Sequence, residues 1–166
     1  MRPTGGATHD PEVFLVLTTL ALTILLESSD SCDTPHAEVV LTHEQRSKKR
    51  LKAQLKDGRD AAIMIPRQAS IHAGNVLSNE NGDRVLVVAA LEHLSVVRFT
   101  NAFDFARVSY HLGNRHVALQ IAEMEVSYLH DHVLDDMITG LGFQVKSEHR
   151  KFVPESGAYH NHQHSH

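Results

Sequence analysis

The chain has 166 residues, room for one ordinary domain or two small ones, and 42% of them are apolar, enough for a core. A formal net charge of −4 argues against a nucleic-acid partner, and the single cysteine, Cys32, excludes an internal disulfide and a cysteine-built zinc cage. The outlying number is fourteen histidines, because a neutral imidazole is the commonest protein ligand for a metal.

Residues 1–12 carry Gly and Pro without periodicity and read as a disordered N-terminus. Val13 to Leu26 is a strongly apolar run. It is too short for a membrane span, which takes about 20 residues. Its length suits a signal-peptide core, with Arg2 ahead and Ser29 and Ser31 behind, but Asp10 and Glu12 stand where a basic region belongs. The plainer reading is a buried strand or hairpin. Glu27 to Pro35 is a polar loop, Ala37 to Leu41 a short strand, and Glu44 to Lys49 a helical turn.

Two hairpins follow. Leu51, Ala53 and Leu55 alternate with polar residues, Asp57-Gly58 marks a turn, and Ala61 to Ile65 returns before Pro66. Asn75 to Leu77 pairs with Arg84 to Ala89 across the Asn79–Gly82 turn. These short strands predict a β-rich domain over 13–92.

Residues 93–152 change character. Leu94 to Phe99 reads as a strand and Asn101 to Leu112 as a helix, with Phe103, Ala106 and Tyr110 on one face and Gly113 as its stop. His116 to Ile121 and Val126 to Leu129 read as strands. Asp131 caps a second helix whose Val133, Leu134, Met137, Ile138 and Leu141 share a face, closed by Gly140 and Gly142. Phe143 and Val145 open a last strand. The order is β-α-β-β-α-β, so the fold class is α+β: an all-β domain, a ferredoxin-like domain and a disordered His-rich tail. The tail, polar from Phe152 onward and bounded as 153–166, is expected to be mobile.

The chemistry-bearing residues are histidines. In the tail, His160, His162, His164 and His166 alternate with Asn, Gln and Ser, a composition that reads as metal capture rather than as the unbroken run of a purification tag. His130 and His132 point to one face if extended, about 6.5 Å apart along the strand, and His132 is one helical turn from Asp136. The alternative is that both are simply exposed and Asp131 is only a cap. His116 follows Gly113-Asn114-Arg115 at a turn, and one chain offers a single imidazole there; a symmetric dimer would offer two.

HLGNRHVALQI, YLHDHVLDDM, the GAYH that opens the tail and RSKKRLKAQLKDGRDAAIMIPR closely resemble the urease accessory protein E family, the nickel metallochaperones of urease maturation. The likeness runs from about Val39 to the C-terminus; residues 1–26 are longer and more apolar than the family's usual opening strand. The resemblance implies a peptide-binding-like β domain and a ferredoxin-like domain that dimerises. It implies that His116 binds metal at the interface of a homodimer, that His130 and His132 bind further ions at the periphery, and that the tail recruits more nickel. The implied partners are the urease accessory GTPase and the urease apoprotein assembly, in the cytoplasm. No membrane partner and no enzymatic activity are expected.

The implied cargo is Ni(II). Cu(II) or Zn(II) can occupy imidazole sites too, and copper binds them more tightly, so affinity alone does not select nickel. Ordinary imidazoles, with a pKa of about 6.5, should release their ions between about pH 7 and 5.5. Two rival classes are a general divalent-metal buffer and a zinc-dependent hydrolase built on His130, His132 and Asp136. The hydrolase needs firm ligands around an open position, and residues on a turn orient a reacting water poorly.

Overall fold

A computed structural model describes residues 20–22, 24–26 and 34–156. The first half makes two sheets. In one, β1 (Leu20–Leu22) runs parallel to β5 (Asp60–Met64), which pairs antiparallel with β4 (Arg50–Gln54). In the other, the order is β2 (Ile24–Leu26), β6 (Val76–Ser78), β7 (Arg84–Ala89), β3 (Ala37–Leu41). The described part of the apolar run is therefore two short strands in different sheets, not a hairpin paired with itself. Residues 13–19 lie outside the described residues.

The two hairpins form as the turn residues dictate. Gly58 and Gly82 take left-handed φ values of 88° and 83°, and the Asn79 carboxamide oxygen accepts from the Asn81 and Asp83 N–H groups at 3.0 Å each. Val39, Leu41, Leu55, Ile63, Leu77, Val85 and Val87 are buried as one core. Between β3 and β4 lies α1 (His43–Ser47), held by a reciprocal cap: Thr42 accepts from the Gln45 N–H while Gln45 returns to the Thr42 N–H. The helical turn expected at Glu44 starts one residue earlier because of this cap.

The second half is β8 (Leu91–Arg98), α2 (Ala102–Gly113), β9 (Gln120–Ala122), β10 (Glu125–Leu129), α3 (His132–Gly140) and β11 (Val145–Lys151). Its antiparallel sheet has the order β11-β8-β10-β9, the split β-α-β arrangement expected for 93–152. Its register lays out rows across three strands. Val145, Val97 and Val126 form one row, Ser147, Ser95 and Tyr128 the next, and His149 and His93 the third. Directly opposite residues share a face. The valine row and Tyr128 are packed with Val108, Leu112 and Ile138 from the helices, so this face carries the core.

Three expectations are corrected. Val133 is 62% exposed, off the face on which Ile138 is buried and Leu134, Met137 and Leu141 are partly buried. Four residues already fill that stripe, and Val133 falls outside its width. β11 begins at Val145 and runs on to Lys151, longer than Phe143 and Val145 suggest, because β8 is long enough to pair with it throughout. Phe152 does not belong to a free tail: it is fully buried against Leu94 and Val96. Beyond it, the Val153 N–H donates to Gln120 Oε1 at 2.8 Å and the Glu155 N–H to the Leu119 carbonyl at 2.7 Å.

The halves meet at this point. Arg46, buried in α1, donates from Nη2 to the Phe152 carbonyl. His43 packs edge-on against the Phe152 ring, centroids 5.3 Å apart, and its backbone N–H donates to Glu92 Oε1 at 2.8 Å.

Candidate metal centre

His116 is positioned by the end of α2. Asn101 caps the helix by accepting from the Asp104 N–H at 2.9 Å. Val108 and Leu112 face inward and are fully buried. The stripe Phe103, Ala106, Tyr110 faces outward: Phe103 is 76% and Tyr110 65% exposed. The apolar spacing seen in the sequence marks a surface, not the core contact. After Gly113 the chain tightens, with the Arg115 N–H donating to the Leu112 carbonyl at 3.0 Å and the His116 N–H to the Gly113 carbonyl at 2.9 Å.

The residue that turns the chain left-handed is His116 itself, at φ 55°, rather than Gly113. That conformation costs an L-residue about 1–2 kcal/mol, and among described residues only Met124 shares it outside glycine. Such strain clusters at functional sites. It also interrupts the extended run, so the strand expected from His116 starts only at Gln120. His116 is exposed.

His130 and His132 part ways. Asp131 accepts from the Val133 N–H at 2.8 Å and the Leu134 N–H at 3.2 Å, the cap expected of it. The chain therefore turns into α3 at His132 instead of staying extended through both imidazoles. His130 Nδ1 lies 3.1 Å from Asp135 Oδ2 and 3.1 Å from Ser95 Oγ. The Tyr128 hydroxyl donates to Asp135 Oδ1 at 2.8 Å. Burial, and then this bond to Asp135, push the Tyr128 phenol well above its ordinary pKa. So the carboxylate that meets a histidine is Asp135, on His130, and not Asp136 on His132.

The rings of His93 and His130 stack at 4.2 Å, and those of His93 and His149 at 5.0 Å. Neither His93 nor His149 stood out in the sequence, since their closeness comes from strand register. Among the described residues no three His, Cys, Asp or Glu side chains are already arranged to enclose one ion. His160, His162, His164 and His166 lie outside the described residues. No helix among the described residues is long and apolar enough to cross a membrane.

A β domain joined to a ferredoxin-like domain, with histidines presented at the surface of the latter, defines a two-domain α+β protein with solvent-facing imidazoles. Comparison with known proteins places it further. Residues 25–90 match the N-terminal domain and residues 92–166 the C-terminal domain of the UreE urease accessory protein. The chain is 48% identical over 131 residues to the urease accessory protein UreE of Escherichia coli O157:H7, covering 78% of this chain and 85% of that one. It is 47% identical over 140 residues to the protein of that name from Shewanella halifaxensis, covering 84% and 80%. To that of Proteus mirabilis it is 46% identical over 129 residues, covering 78% and 80%. The chain belongs to the UreE urease accessory protein family.

Proposed function

We propose that this chain is a nickel metallochaperone of urease maturation: two copies pack through the outer face of α2, set their His116 imidazoles on one Ni(II) ion, and pass that ion as cargo to the urease apoprotein. The observation that carries the reading is the position of His116. It stands, in a strained backbone conformation, at the end of the exposed stripe Phe103, Ala106, Tyr110. A two-fold interface presents the same residue from both sides, so burying the stripe brings the histidines together. Each aromatic side chain contributes at most about 1.5–3 kcal/mol on burial, and a dimer buries two pairs.

Two imidazoles leave the nickel shell incomplete, which favours release. His130 and His132 hold further ions at the periphery, and His160, His162, His164 and His166 add capture. The setting is the cytoplasm, where the accessory GTPase and the apoprotein are the partners. Copper and zinc compete for the same imidazoles in vitro; metal supply and the partner select nickel.

Light scattering and nickel calorimetry test this together. The chain should be a dimer with one tight site per dimer. Phe103→Glu should give a folded monomer without that site, and His116→Ala a dimer without it. A Phe103→Glu monomer that keeps the tight site, or a His116→Ala dimer that keeps it, overturns the reading. A dimer that binds nickel tightly but forms no nucleotide-dependent complex with the GTPase would be a metal buffer instead.

A further inference from the structure

A cavity of about 360 Å³ lies where the two halves of the chain meet. Its walls come from α1 and residues 70–72 on one side and from residues 153–156, just past β11, on the other. That volume falls in the range of a small-molecule site. Arg46 and Lys49 line it, with the Ser70 hydroxyl and the exposed Glu155. We infer that this cavity is a site for a phosphate-bearing small molecule, held by Arg46 and Lys49.

Arg46 carries the argument. It is 5% exposed, and a buried charge is costly unless it is paired and hydrogen-bonded. A guanidinium has five N–H donors. Arg46 uses Nη2 on the Phe152 carbonyl, and its buried Nε has no hydrogen-bond partner among the described residues. The Glu92 charge favours the guanidinium, but that carboxylate accepts the His43 N–H and makes no ion pair with Arg46. A buried cation with donors to spare is a structural demand for an anion.

Lys49 adds a second cation from a different part of the wall. It is half-buried, its Nζ donates to the Ala69 carbonyl, and it makes no ion pair among the described residues. Two fixed cations thus face one carboxylate, Glu155, which leaves the cavity positive. Phosphate suits this arrangement better than a carboxylate does: it carries up to two negative charges and three strong acceptor oxygens, enough to meet a guanidinium and an ammonium that stand apart. The Ser70 hydroxyl, without a hydrogen-bond partner among the described residues, can donate to a further oxygen. The Ser47 hydroxyl is already given to the His43 carbonyl at 3.0 Å. Because the walls belong to both halves, a phosphate held here ties α1 to the segment that follows Phe152.

The test is a titration of the metal-free full chain with inorganic phosphate, followed by nitrogen–proton NMR at the backbone amides of Ser70, Ile71, His72 and Glu155. In the native chain these signals should move together along one saturable curve. Lys49→Gln should raise the Kd by about tenfold or more, the loss of one charge-assisted hydrogen bond. Lys146→Gln removes an exposed cation that does not line the cavity and should leave the Kd unchanged. Arg46→Gln should abolish binding; if it does not fold, Lys49→Gln decides. Acetate should produce no saturable shift at the same amides. Unmoved amides, a Lys49→Gln curve as tight as the native one, or acetate bound as tightly as phosphate overturns the site. His116→Ala should bind phosphate as the native chain does, so this inference and the nickel reading succeed or fail apart.

Discussion

Tyr128→Phe isolates one buried bond and gives a stability change whose pH dependence has a definite sign. Tyr128 is fully buried, and its hydroxyl donates to Asp135 at 2.8 Å. A hydrogen bond to a charged group contributes about 1.5–3 kcal/mol. Asp135 is 22% exposed and can recover some water contact, which places the expected loss near the lower end, about 1.5 kcal/mol. For a chain of this size that corresponds to a melting point lower by about 3–6 °C.

The sign in alkali follows from proton linkage. Burial and the Asp135 bond raise the folded-state pKa of the phenol above its unfolded value of about 10. The contribution is therefore complete below about pH 10 and is lost as pH rises beyond it. Between about pH 8 and pH 11 the phenol of the unfolded chain ionises while the folded one does not, which removes about 1.4 kcal/mol from the native protein. Tyr128→Phe is immune to that loss. Urea unfolding of both proteins at the two pH values should show the gap between them shrinking by about 1.4 kcal/mol. A gap that is constant, or that widens in alkali, refutes the assignment of a buried, hydrogen-bonded phenol.

Asp131→Ala removes the cap shared by two N–H groups of α3 and should cost about 1 kcal/mol, read as a melting point about 2–4 °C lower; an unchanged melting point would mean that water replaces the cap fully. Burial, and then the nearby Arg46 charge, hold the His43 pKa below its ordinary value. Its contribution is present above about pH 6.5 and lost as pH falls through the depressed value, so the urea midpoint of His43→Gln should fall less than that of the native chain between about pH 7.5 and 5.5. Equal falls would place the acid sensitivity elsewhere.

The sequence shows where local chemistry acts alone. Asp57-Gly58 and the Asn79–Gly82 turn demand left-handed glycines, and Asn101 and Asp131 announce helices, so both hairpins and the β-α-β-β-α-β order are legible. Partnership is not. The Phe103, Ala106, Tyr110 stripe identifies a helix face without saying whether the cover is this chain's core or something else. Val13 to Leu26 shows apolar character but not that Leu20–Leu22 and Ile24–Leu26 join different sheets. His116 reads as the start of a strand because a left-handed histidine has no compositional mark. His93 and His149 are 56 residues apart, and only the register of β8 against β11 sets them opposite each other. Phe152 sits in a polar segment, and its burial depends on a pocket built by distant residues.

The docking of Glu155 on Leu119 sets the length of a leash. Leu119 is three residues from His116, so the backbone at Glu155, bonded to Leu119 at 2.7 Å, is tied within roughly 15 Å of the backbone that carries that imidazole. From Glu155 to His160 is five residues, a span of at most about 18 Å whatever path it takes. A ligand on so short a leash acts at an effective concentration on the order of millimolar. An ion caught by the first tail histidine would thus already be held within arm's length of the place proposed to receive it, and lengthening the leash with inserted residues would dilute that advantage without altering a single ligand.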